Sequence, residues 1–112
     1  MARHIFLAFT HPVPGREDDF IAWQKTVHMP EGLTIPGFTG ATLYRLSAHQ
    51  LLDGQPPQAG AFVTVWELES DDMETMRDTV AEYLARFHWS DAIDAERTRT
   101  LTYTLEAEGR RT

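Results

Sequence analysis

The sequence has no cysteine, so disulfide frameworks, thiolate nucleophiles and zinc–cysteine sites are all excluded. Basic residues are scarce: 10 lysines and arginines face 17 carboxylates, the net charge is −7, and Arg110 with Arg111 is the only adjacent basic pair. A phosphate-binding surface needs the opposite balance, so nucleic acid is not an expected partner. Long apolar runs are missing too. The run from Ile5 to Thr10 is too short for a secretion signal or a membrane span, so no membrane role is expected and a cytoplasmic location is. The five histidines show neither His-x-His nor His-x-x-x-His spacing, which gives no expectation of a metal. No glycine-rich loop leads into a helix, because Gly37-Phe38-Thr39-Gly40 runs from a turn into a strand, and nucleotide cofactors lack support. No cofactor is expected.

What is present is enough apolar residue for a core. At 112 residues and 42% hydrophobic content, the chain suits one domain over residues 1–112 and is too short for two. Residues 4–11 are apolar and aromatic and stop at Pro12 and Pro14, as a first strand should. Glu17, Asp18 and Asp19 then suit the positive end of a helix, and Phe20, Trp23 and Val27 recur at helical spacing. Pro30 disfavours helical geometry at Met29, so this helix is expected to end near His28.

Residues 37–48 alternate, with Phe38, Thr42, Tyr44 and Leu46 on one side and Ala41, Leu43 and Arg45 on the other, which predicts a second strand. Asp53-Gly54 and Pro56-Pro57 punctuate a loop. Residues 61–69 read as a third strand, with Phe62 and Trp66 among β-branched neighbours. Ser70 or Asp71 can cap a second helix whose stripe runs through Met73, Met76, Val80, Tyr83 or Leu84, and Phe87. One helical turn is predicted over residues 90–96, and residues 97–108 alternate as a fourth strand with a frayed end.

The order βαββαβ with right-handed crossovers gives an α+β, ferredoxin-like fold: a four-stranded antiparallel sheet with both helices on one face. Strands one and three are apolar on both sides, Ile5, Leu7 and Phe9 against Phe6 and Ala8, and Phe62 and Trp66 against Val63 and Val65. The face opposite the helices therefore also needs a cover. A second copy of the sheet supplies it, which predicts a homodimer closed as a barrel-like pair.

Residues 5–46 resemble the N-terminal half of the EthD-like proteins of the dimeric α+β barrel superfamily. The specific part is His28-Met29-Pro30 at the end of the first helix and Pro36-Gly37-Phe38 leading into the second strand. The resemblance implies a small-molecule role, because relatives include cofactor-free isomerases, polyketide cyclases, decarboxylases and oxygenases. A second resemblance, to plant and bacterial cyclases of the same superfamily, rests on His4 in the first strand and on Tyr83 and His88 at the end of the second helix. Trp66 is similar in place to a tryptophan of the haem-degrading and quinone-forming monooxygenases, but those pair it with an asparagine, and this sequence has none.

On a helical wheel at about 100° per residue, with Phe20 at zero, Val27 and Trp23 fall at roughly −20° and −60°, Gln24 near +40° and His28 near +80°. His28 thus sits at the edge of the buried stripe, where an imidazole can meet a cavity and exchange protons near neutral pH. Glu31 is a candidate to orient its other nitrogen. The same position also suits a capping donor to the last helical carbonyls. His88 follows the apolar end of the second helix and can project between helix and sheet. His4 reads as a core or barrel-facing ring, His11 and His49 as loop residues, and Tyr44 and Tyr103 as packing residues able to offer a hydroxyl.

The expected function is a cofactor-independent isomerase, cyclase or lyase acting on an aromatic or polyketide-like carbonyl compound. His28 moves the proton with His88 or Tyr83 as partner, and His4, Trp23, Tyr44, Trp66 and Phe87 bind the substrate. A non-catalytic binding module and a cofactor-free monooxygenase are the alternatives.

Overall fold

A computed structural model describes residues 1–54 and 59–111. Its elements run β1 (Arg3–Thr10), α1 (Glu17–Trp23), a π-helical turn (Gln24–His28), α2 (Met29–Gly32), β2 (Phe38–Arg45), β3 (Phe62–Glu69), α3 (Met73–Leu84), a 3₁₀ turn (Ala95–Arg97) and β4 (Arg99–Thr104). The strands pair in the order β2-β3-β1-β4, every neighbouring pair antiparallel. This is the predicted ferredoxin-like sheet, with the helical segments on one face. Pro56-Pro57 of the predicted loop lies outside the described residues. No helix among the described residues is long and apolar enough to cross a membrane.

The helical layer is pinned by one aromatic cluster. Phe20 of α1 is fully buried and meets Phe62 of β3 at 5.2 Å between ring centroids, with Trp23 and Ala92 completing the cluster. On β3 the alternation is clean: Phe62, Thr64, Trp66 and Leu68 are buried toward the helices, and Val63, Val65 and Glu67 face away. On α3 the cap is Asp72, one residue later than expected, whose carboxylate accepts from the Thr75 amide at 3.0 Å.

The first helix does not end at His28. The Met29 amide bonds to the Gln24 carbonyl, five residues back, and the chain carries Pro30 on through α2 to Gly32. A proline inside a regular helix lacks an amide donor and crowds the carbonyl four residues before it. The wider π turn ahead of Pro30 relieves that contact.

Phe38 is also out of its expected phase. The β2–β3 register shifts between Phe38 and Gly40, so one extra residue turns Phe38 to the helix side with Ala41 and Leu43. The preceding Gly37 has φ +95°, and a Cβ there would lie 2.6 Å from Met76 Cε. Only glycine fits that corner, which gives the Pro-Gly-Phe sequence a local physical reason.

Candidate active site

The π turn decides where His28 points. Bonding five residues back admits about one extra residue into the turn, which rolls His28 back by about 100°, from near +80° to about −20° on the wheel. The ring therefore leaves the edge and enters the middle of the buried stripe. It is 9% exposed and lies against four aromatic side chains. Trp23 stacks on it at 4.6 Å and 15°, Trp66 and Phe87 present edges at 5.5 and 6.1 Å, and Trp89 is tilted at 5.1 Å.

His28, Trp66, Phe87 and Trp89 wall a cavity of about 110 Å³ between sheet and helices, and Trp23 backs the imidazole from outside it. The floor comes from Phe6, Ala8, Thr10 and Trp66, one side from Gln24 and His28, and the other from Val80, Leu84 and Phe87. Gly32 makes room for Trp66, since a Cβ at this position would lie 2.2 Å from the indole ring.

Three buried polar atoms on residues lining this cavity have no hydrogen-bond partner among the described residues: Thr10 Oγ1, Gln24 Oε1 and His28 Nδ1. Buried polar atoms are nearly always partnered, because each one left alone costs about 1–3 kcal/mol. Three such atoms sit on residues around this one cavity, and a fourth, Thr64 Oγ1, lies off it.

Burial pushes the His28 imidazole down to about 4, and the charge of Glu31 opposes this only in part. The ring is therefore neutral at neutral pH and holds a lone pair inside an apolar pocket. Above pH 6.5 it is neutral in both folded and unfolded chains and adds no pH dependence. As pH falls from 6.5 through about 4, the unfolded chain takes up a proton that the folded ring refuses, and stability declines by about 3 kcal/mol in all. Denaturant midpoints between pH 7 and 4 should show this slope, and His28→Leu, which removes the titrating group, should flatten it.

Of the residues expected at the site, the fold brings Trp23, Trp66 and Phe87 to His28. The others stand apart. The His88 side chain is 84% exposed, not placed between helix and sheet, and Glu31 binds it rather than His28. The Glu31 carboxylate accepts from the His88 amide at 2.9 Å and meets its Nδ1 at 2.7 Å, and these contacts hold that carboxyl below the usual range. Trp23 Nε1 donates to the His88 carbonyl at 2.8 Å. Residue 88 is thus pinned from two sides, which fixes its neighbours Phe87 and Trp89 against His28.

Tyr83 lies under the Arg86 guanidinium, outside the cavity lining. Tyr44 is exposed on the far face of the sheet. His4 is buried but fully engaged: Nε2 donates to the Ser70 carbonyl and Nδ1 accepts from Thr104 Oγ1, both at 2.9 Å. His49 is exposed, as expected of a loop residue, and His11 is half-buried. Thr10, Gln24, Phe38 and Trp89 were not among the expected site residues. Gln24 alone carried a signal, since the wheel sets it nearer the buried stripe than His28.

A four-stranded antiparallel sheet with its helices on one face is the ferredoxin-like α+β fold. Solved structures similar to this chain have that fold. A candidate monooxygenase from Shewanella loihica PV-4 superposes with a TM-score of 0.58 at 13% identity, covering 96% of this chain and 99% of its own. HapK from Hahella chejuensis gives 0.52 at 17% identity over 100% and 99%. An ethyl tert-butyl ether (EthD) family protein from Bacillus halodurans C-125 gives 0.50 at 15% identity over 92% and 97%. No family model matches the chain, and neither does any curated protein.

Proposed function

We propose that the protein is a cofactor-independent small-molecule enzyme that moves a proton on an aromatic carbonyl or enolisable compound, with His28 as the base. The observation that carries this is the orphaned Nδ1 of a neutral, buried imidazole in an aromatic cavity. A flat substrate stacks among the rings, and its acidic C–H or O–H meets the His28 imidazole. Accepting that proton is unfavourable for the empty pocket. It becomes feasible as the substrate turns into an enolate or phenolate, because an anion beside the ring favours the imidazolium. Stacking on Trp23 adds a cation–π contribution to the same charged form. In this reading the Thr10 hydroxyl donates to a substrate oxygen, and return of the proton at another carbon completes an isomerisation or ring closure. The likeness to a candidate monooxygenase and to an EthD family protein supports a small-molecule role for the fold.

The test is exchange of the α-hydrogens of a panel of aryl ketones, 2-tetralone first, with D2O, followed by NMR. The native protein is expected to accelerate exchange. Binding of the ketones without acceleration would instead favour a non-catalytic binding module, a reading to which the low basicity of His28 also lends weight.

We further propose a homodimer through the open face of the sheet. Ile5, Tyr44, Leu46, Leu101, Tyr103 and Leu105 are between 37% and 55% exposed there, and apolar side chains gathered on one face are the kind of surface a partner covers. Light scattering should give about twice the 12.8 kDa chain mass, and Leu101→Arg should return the single-chain mass. A native protein at 12.8 kDa would contradict the dimer.

A further inference from the structure

The His28 cavity continues into a longer groove. A second cavity of about 410 Å³ lies under the first half of α3, and the two share Phe6, Phe38 and Val80 in their walls. Along α3 the wall runs from Met73, Met76 and Arg77, through Val80, to Leu84 at the His28 end. The opposite wall is a row of hydroxyls: Thr102 and Thr104 line the outer cavity, Thr98 and Thr100 the inner one. Alternate residues of an extended chain recur about every 7 Å, so four threonines span about 20 Å, well beyond one aromatic ring.

Two of these hydroxyls are already committed. Thr104 bonds His4, and Thr98 donates to the Asp94 carbonyl at 3.1 Å. Thr100 and Thr102 make no side-chain hydrogen bond among the described residues and remain available. Arg77 is the one permanently charged side chain lining either cavity, sits at the end away from His28, and makes no ion pair among the described residues. The buried end supplies the unpartnered polar atoms of Gln24, Thr10 and His28.

We infer that the ligand is an elongated, flat, fused-ring compound that carries oxygen atoms along one edge and an acidic group at one end. The acid meets Arg77 at the mouth, the oxygenated edge lies along Thr102 and Thr100, and the opposite end reaches His28. This rests on the proposed site for its inner end only, and Arg77 acts as a specificity-determining residue, not a catalytic one.

Three probes separate the contributions in binding titrations read by tryptophan fluorescence and calorimetry: anthraquinone-2-carboxylate, its neutral carboxamide, and anthracene-2-carboxylate, which lacks the edge oxygens. The native protein is expected to bind the first about three- to tenfold more tightly than the second, the range of a partly exposed guanidinium–carboxylate pair. It should also prefer the first to the third. Arg77→Gln should abolish the acid preference alone, and Thr100→Val with Thr102→Val should abolish the edge-oxygen preference alone. Arg77 is exposed on α3 and both threonines are exposed on an edge strand, so these variants are expected to fold, and melting curves check that. Equal affinity for acid and amide in the native protein, an acid preference that survives Arg77→Gln, or no binding of any probe would overturn the inference. Failure of the proton-transfer reading shows elsewhere, as unchanged ketone exchange in a His28 variant with these preferences intact.

Discussion

Replacing His28 by alanine is expected to lower the rate of catalysed ketone exchange by about 10² to 10⁴, the range a positioned general base contributes. The fold should survive the change. The variant loses the stack on Trp23 and the edge contacts of Trp66 and Phe87, but it also removes a ring whose Nδ1 is buried without a partner. Those effects oppose one another, so the rate should fall far more than the stability. His28→Phe sharpens the comparison, because it restores an aromatic ring without a nitrogen. It should keep ligand affinity within a few-fold and still lack the rate. If either variant retains the native rate, His28 is a packing residue and the base lies elsewhere.

The largest structural effect is expected for Trp66→Ala. Trp66 is 3% exposed, reaches Phe38 at 5.9 Å and His28 at 5.5 Å, and packs directly on Gly32. Truncating a buried tryptophan removes its transfer free energy and leaves a void, together about 3–5 kcal/mol. For a domain of this size that lowers the melting temperature by more than 10 °C. The loss should extend to electrostatics. With the indole gone, water enters the cavity, and the His28 pKa should climb from about 4 back toward 6.5. Trp66→Phe keeps most of the filling and should cost less on both counts. Urea titration and histidine NMR on the two variants check the pair.

Much of the architecture was legible in the sequence because it depends on periodicity. The two-residue alternation of 61–69 and the Phe20, Trp23, Val27 spacing each imply which side is buried, and βαββαβ order with right-handed crossovers leaves one sheet topology. What the sequence concealed were single-residue changes of phase. The π turn at Gln24–His28 and the shift between Phe38 and Gly40 each insert one residue into a regular repeat, and both redirect a side chain into the cavity. A wheel or an alternation assumes an unbroken repeat, so it put His28 on the edge and Phe38 on the wrong face. Pro30 and Gly37-Phe38 were the only local signs, and they read as a stop and a turn rather than as a bulge. The Glu31–His88 pairing joins residues 57 apart, which no local pattern reveals.

The measurement that bears most directly on His28 as a neutral buried base is a pH titration of all five histidines in ¹⁵N-labelled protein, followed by two-bond ¹H–¹⁵N spectra with and without a bound aryl ketone. One ring, absent from the spectrum of His28→Ala, should stay neutral until the pH approaches 4 and should shift at a ring nitrogen when the ketone binds. If that ring instead titrates near 6.5, or ignores the ligand, the imidazole faces water and the proposed chemistry has no base.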